Sequence, residues 1–187
     1  MGITDANSVG NVHGGTIMRL ADEVAALAAI KHSRRRVVTV GVDRVNFLVP
    51  IYVGELVTLS ATVNAAWRTS MEVGVRVEAE NPRTGDHRHT NTAYITMVAL
   101  DEEGRPAPVP PLEATTQTEK RRMREAELRR VNRLAERAQI LAHREGERDR
   151  RGRESDSREG ERDTRGRESD SRGRESDRHE GEPGRDS

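Results

Sequence analysis

The stretch TDANSVGNVHGGTIMRLADEVAALAA, residues 4–29, decides how the chain is read. Its first half is turn-forming: glycines at 10, 14 and 15 and asparagines at 7 and 11 break any regular periodicity. Its second half, from Ile17 to about His32, is apolar on almost every side, and Thr16 is a plausible helix start. A helix apolar all round is predicted to be buried by what surrounds it. Inside that helix stands one carboxylate, Asp22, two turns beyond the glycine pair.

Around this helix the chain is built from short β-branched runs. RVVTVGVDRVNFLVP (36–50), ELVTLSATVNAAW (55–67), SMEVGVRVEAEN (70–81) and HTNTAYITMVALD (89–101) alternate or carry β-branched residues at strand spacing. Pro50 suits a strand terminus, and short links between consecutive runs predict an antiparallel meander. One buried helix with a curled antiparallel sheet around it is an α+β architecture. Residues 115–145 read as a charged amphipathic helix with a thin apolar stripe at Leu128, Val131, Leu134, Ala135, Ala138 and Leu141.

From Arg144 to the C-terminus the chain holds only Arg, Glu, Asp, Gly, Ser, Thr, His and Pro, repeating with a period of seven. The period suggests a coiled coil, but no position of these heptads is apolar, so there is no seam to bury. Such a segment cannot bury enough surface to offset its ordering entropy, and disorder is expected over 144–187. The expected organisation is a domain over 1–112, a charged helix over 113–143 and this tail.

Composition narrows the function classes. Hydrophobic and charged residues are nearly equal, 33% and 34%, because the tail dilutes an ordinary globular domain. Formal net charge is zero, so neither nucleic acid nor an anionic membrane is drawn to the chain as a whole. Cysteine is absent, which excludes disulfides and cysteine-based zinc sites. No run approaches the roughly 20 apolar residues of a membrane span, and no signal peptide is evident, so a cytoplasmic protein is expected. Residues 10–17, GNVHGGTI, lack the Gly-Lys-Ser/Thr ending of a phosphate-binding loop. His87 and His89 share no metal-ligand spacing with other groups, and no metal is expected.

Glycines at a helix start let a ligand approach N–H groups that carry partial positive charge. Such ground suits an oxyanion, and a partly desolvated carboxylate nearby suits a general base. The bland alternative pairs Asp22 with Arg19 on a solvated strip and leaves the glycines as turn chemistry. Read whole, the stretch resembles the hotdog-fold acyl-CoA thioesterases of the acyl-CoA hydrolase type. Further matching blocks follow in order: VVTVGVDRVNFLVPIYVGELV, RTSMEVGVRVEAEN, TAYITMVALDEEGRPAPVPPL and TEKRRMREAELRR. The resemblance covers residues 4 to about 130.

That resemblance implies a hotdog fold and hydrolysis of fatty acyl-CoA to a free fatty acid and coenzyme A, with no cofactor. Asp22 takes the role of general base, Asn7 is supplied across a dimer interface, and Gly14 polarises the thioester carbonyl. Gly15 and His13 stand beside Gly14 as further oxyanion or substrate-binding candidates, with both glycine amides facing one thioester. Coenzyme A carries phosphates, so Arg34, Arg35, Arg36, Arg68 and Arg88 are candidates by position, with Thr69 and Ser70 from the RTSM block. Met18, Leu20 and Val24 would contribute an acyl tunnel. The implied partner is a second copy of the chain in a homodimer or a higher assembly such as a trimer of dimers. Family members carry a first strand ahead of the Asp-Ala-Asn motif, so a shortened or missing first strand is expected. The competing readings are another activity on a coenzyme A thioester, such as dehydration, and an inactive hotdog scaffold whose charged tail recruits a partner.

Overall fold

The computed structural model describes residues 1–176 except Arg44 and Asn46, with side chains described as far as Arg148 apart from Ile3. The tail residues 177–187 of the sequence reading lie outside the described residues. Two compact units are distinguished, Met1–Arg130 and Val131–Ser187.

In the first unit, helix α1 (Gly14–Ser33) lies against one antiparallel sheet. His13 caps its start, its Nδ1 accepting from the Gly15 N–H at 3.0 Å. Its end is set by Arg34 in the left-handed region (φ 58°), whose N–H returns to the Ile30 carbonyl. Ile17, Ala21, Ala25, Ala29 and Ser33 are buried at a spacing of four, one stripe of small side chains that brings helix and sheet together. The other faces are more open than an all-apolar helix predicts: Met18, Leu27 and Ile30 are exposed in the single chain.

The sheet contains β1 (Arg36–Val42), β2 (Leu56–Ala66), β3 (Ser70–Glu80) and β4 (His87–Leu100) in the order β1-β4-β3-β2. β2, β3 and β4 form the predicted meander, but β1 pairs with β4 and not with β2. The reason is that β1 ends at Val42, eight residues before Pro50. An irregularity between Thr39 and Gly41 precedes that end. After one more bond, from the Asp43 N–H to the Tyr94 carbonyl, the chain leaves the edge. β2 begins at Leu56 on the opposite edge. Met71, Val73, Val75, Val77 and Ala79 of β3 and Ala93, Ile95, Met97 and Ala99 of β4 form the core with the α1 stripe.

Ahead of α1 there is a short 3-10 turn, Ile3–Asp5, and two isolated bridges, Ala6 to Val12 and Asn11 to Tyr52. Helix α2 (Gln117–Ser176) opens with a Thr-x-x-Glu capping box. Thr116 N–H donates to Glu119 Oε2 at 2.8 Å, and Glu119 N–H donates to Thr116 Oγ1 at 3.2 Å. Its turns up to Arg130 belong to the first unit, which therefore extends past the boundary expected at residue 112.

Those turns cover the outer face of the sheet, where Ala126 is fully buried. Arg129 lies 3.6 Å over the Tyr94 ring and holds buried Glu72, with its Nη2 donating to Oε1 at 2.6 Å. Asn64 Nδ2 donates to the same carboxylate at 3.3 Å. A Cβ at Gly74 would stand 2.6 Å from that Asn64 Nδ2, so the close packing here requires glycine. Arg130 stacks on Trp67, whose indole donates to Glu127 at 2.8 Å.

In the second unit helix α2 runs on to Ser176. His143 Nδ1 lies 3.8 Å from Glu147 Oε1, one turn further along the helix. No helix among the described residues is long and apolar enough to cross a membrane.

Candidate active site

The helix of the opening stretch places its carboxylate beside an edge strand. Asp22 is half-buried on α1, and its Oδ1 accepts a hydrogen bond from Thr39 Oγ1 of β1 at 2.5 Å. Thr39 Oγ1 also lies 3.3 Å from Met97 Sδ. Arg19, the bland partner for Asp22, pairs instead with Glu23 at 2.6 Å. Asp22 therefore retains a carboxylate oxygen with no protein partner among the described residues. β1 is an outer strand, and Val38, Val40 and Val42 along it are exposed.

The helix start is arranged differently from the expectation that both glycine amides face a ligand. The Gly15 N–H is committed to His13 and that of Thr16 to the His13 carbonyl at 2.9 Å. His13 thus works as an N-cap. The Gly14 N–H has no acceptor among the described residues. A Cβ at Gly14 would stand 3.3 Å from the tip of the Phe47 ring, a tight contact at the helix end.

Asn7 is held by its own loop. Its Oδ1 accepts from the Val9 N–H at 3.0 Å and the Asn11 N–H at 3.1 Å. Its amide nitrogen donates to nothing among the described residues. No hydrogen bond joins Asn7 to Asp22 there. At a rise of about 1.5 Å per residue, the Gly14 amide and Asp22 lie roughly 12 Å apart along one helix. One carbonyl cannot meet both groups of a single chain.

The basic candidates are spread out, and the side chains of Arg36 and Arg88 are engaged. Arg36 Nη2 donates to the Asp101 and Glu102 carbonyls at 2.7 and 2.8 Å. Arg34 is the helix C-cap, and the Arg35 N–H donates to Ser33 Oγ at 3.3 Å. Arg88 is bound to Glu55. Arg68, Thr69 and Ser70 lie at the β2–β3 turn, where their carbonyls accept from the Val109, Ala99 and Trp67 N–H groups. The Arg34, Arg35 and Arg68 side chains are exposed and make no ion pair among the described residues. Of the tunnel candidates, Met18 is exposed while Leu20 and Val24 are half-buried.

Sequence reasoning passed over Thr39, which reads as an ordinary β-branched strand residue, and Phe47. Only the placement of an edge strand against the helix makes Thr39 a partner of Asp22.

A family model described as the thioesterase superfamily matches residues 9–85. The uncharacterized acyl-CoA thioester hydrolase YkhA of Bacillus subtilis is 38% identical over 115 residues, 62% of this chain and 67% of that protein. An acyl-CoA hydrolase from Staphylococcus aureus, solved with butyryl coenzyme A, coenzyme A and coenzyme A disulfide, is 35% identical. It superposes with a TM-score of 0.71 over 78% of this chain and 88% of its own. A hexameric acyl-CoA thioesterase is 41% identical, with a TM-score of 0.70 over 73% and 87% of the two chains. The Staphylococcus enzyme has also been solved with one aspartate, one asparagine or one threonine replaced by alanine. In it the asparagine precedes the aspartate, and the threonine follows it, at the intervals that separate Asn7 from Asp22 and Asp22 from Thr39.

A helix with this carboxylate, wrapped by this sheet, defines a hotdog-fold thioesterase. Within that class the chain belongs to the family of acyl-CoA thioester hydrolases, and it is a thioester-cleaving enzyme.

Proposed function

We propose that the protein hydrolyses fatty acyl-CoA to free fatty acid and coenzyme A, in a site shared by two copies of the chain. Asp22 and Thr39 come from one copy, and Gly14 and Asn7 from the other. The Asp22 carboxylate takes a proton from water, and the water oxygen attacks the thioester carbon. Negative charge on the carbonyl oxygen is met by the unspent Gly14 N–H at a positively polarised helix end. The C–S bond then breaks, Asp22 returns the proton to the leaving sulfur, and acid and thiol depart. Thr39 orients Asp22, and the free Asn7 amide orients water or the thioester oxygen.

The observation that carries this reading is the Asp22–Thr39 hydrogen bond on an outer strand. The helix rise supports the division between copies, because it separates Gly14 from Asp22 within one chain. The exposed valines of β1 and the open faces of α1 support a homodimer at this edge. The hexameric relative supports larger assemblies built from such dimers.

The test is thiol release from medium-chain acyl-CoA. Asp22→Ala and Asn7→Ala should each abolish turnover with the fold retained. Their co-refolded mixture should recover about a quarter of parental activity, because half the dimers are mixed and each has one intact site. Near-parental turnover by Asp22→Ala sinks the role of the carboxylate. Two dead variants whose mixture stays dead sink the shared site.

A further inference from the structure

We infer that Arg88, clamped on Glu55, is a positioning residue for the reaction: it fixes the loop at 50–55, and through it the backbone that carries Asn7. By position alone Arg88 is a candidate for the phosphates of coenzyme A. Three of its five N–H donors are already engaged. Nη1 donates to Glu55 Oε1 at 2.8 Å, and Nη2 donates to Glu55 Oε2 at 2.7 Å and to the Pro50 carbonyl at 3.0 Å. The group also sits 5.6 Å over the Tyr52 ring.

Glu55 is buried, at 6% exposure, and its Oε2 accepts the Tyr52 N–H at 2.8 Å as well. Turning Arg88 toward a phosphate would strand that carboxylate without its cation, which is strongly unfavourable. The bidentate fork therefore belongs to the fold, and it grips both ends of the 50–55 turn.

That turn is the support for the segment ahead of α1. The Val12 N–H donates to the Ile51 carbonyl at 2.8 Å, and Asn11 bridges Tyr52. Asn11 in turn receives the Asn7 N–H at 2.7 Å and donates its own N–H to Asn7 Oδ1 at 3.1 Å. The sequence of contacts runs from β4 through Arg88, Glu55 and Tyr52 to Asn11 and Asn7. The two ends share no direct contact, so Arg88 acts only by holding the loop in place. The inference rests on the proposed role of Asn7.

The experiment compares the parent, Arg88→Met, Arg88→Lys and Glu55→Gln on two thioesters of the same acyl group, one on coenzyme A and one on N-acetylcysteamine, which has no nucleotide. Loss of the clamp should lower kcat about tenfold to a hundredfold on both, as expected for a displaced orienting group. The ratio of the two KM values should not change. Arg88→Lys should behave like Arg88→Met, since a lysine keeps the charge but cannot fork. A selective rise in KM for the coenzyme A thioester in both Arg88 variants, with parental kcat in Glu55→Gln, overturns the inference in favour of nucleotide binding. If Arg88→Met does not fold, Glu55→Gln decides alone, and parental kcat there is the refuting result. Amide hydrogen exchange at Val12 gives a readout independent of catalysis. It should accelerate at least tenfold in Glu55→Gln, so an inactive parent would count against the proposed function and leave this test standing.

Discussion

Replacing Arg129 by methionine should be among the most damaging single changes in the first unit, although the residue lies on a helix that looks solvent-facing in sequence. Its guanidinium donates from Nε to both Glu72 oxygens at 3.2 Å and from Nη2 to Oε1 at 2.6 Å. Glu72 is fully buried, and its remaining polar partner is Asn64 Nδ2 at 3.3 Å. Methionine keeps most of the stem that packs over Tyr94 but removes the only cation on that carboxylate among the described residues. Removing one partner of a buried pair costs about 3–5 kcal/mol, because a buried charge is left uncompensated. For a unit of this size that corresponds to a fall in Tm of roughly 10–20 °C.

The assay is urea denaturation followed by the fluorescence of Trp67, the chain's single tryptophan. Its ring is stacked under Arg130 and bonded to Glu127, so it reports the docking of α2 directly. Glu72→Gln in the Arg129→Met background should return much of the loss, because it removes the stranded charge and keeps an amide oxygen for Asn64. An Arg129→Met protein within about 0.5 kcal/mol of the parent would refute the reasoning, since ordinary surface changes fall in that range. It would mean that no uncompensated charge is left at Glu72, and that α2 is held by packing alone.

Other outcomes follow from the same contacts. Thr39→Val should lower kcat about tenfold to a hundredfold, the worth of one hydrogen bond to a charged group, and Thr39→Ser should restore it. Ending the chain after Arg130 should leave thiol release and melting of the first unit near parental values. Ending it after Leu112 should abolish folding by exposing the outer sheet face and stranding Glu72; far-UV circular dichroism separates the two. Lowering the pH should destabilise the protein below about pH 4.5. Hydrogen bonds from Arg88 hold Glu55 below the ordinary carboxylate range against the opposing effect of burial, and those from Thr116 and Thr115 bring Glu119 down to about 2. A carboxylate with a lowered native pKa stabilises the fold above its ordinary value and loses that contribution as pH falls through the native one. Denaturation midpoints should therefore be level near neutrality and decline in acid, less so in Glu55→Gln.

The central helix and three of the strands were legible because their periodicities are local. β-Branched alternation marks β2, β3 and β4 within a residue or two, and the apolar run marks α1. What sequence did not reveal is non-local. The end of β1 at Val42 depends on the chain leaving β4, and with it went the expected order of the sheet. Glu72 stands on the outward face of an alternating strand, and that α2 covers this face cannot be seen in strand periodicity. Thr39 was invisible for the same reason, since it acts through a helix residue 17 positions earlier.

The arginines carry the sharper lesson. Arg36 and Arg88 were read as phosphate ligands because a cation near a coenzyme A site has an obvious use. In the fold each is drawn to groups of this chain: Arg36 to two carbonyls after β4, Arg88 to a buried carboxylate. Arg88 cannot turn toward a phosphate without stranding the buried Glu55 carboxylate, and Arg36 would have to leave the two carbonyls it holds or offer only Nε and Nη1. Arg68 differs, with an exposed side chain at the turn between β2 and β3 and no ion pair among the described residues. Arg34 and Arg35 are likewise exposed with no side-chain bond among the described residues, but Arg68 is the one that stands in the RTSM block at the turn between β2 and β3. Removing it should raise KM for the coenzyme A thioester and leave hydrolysis of the nucleotide-free thioester unchanged, the reverse of the pattern expected at Arg88.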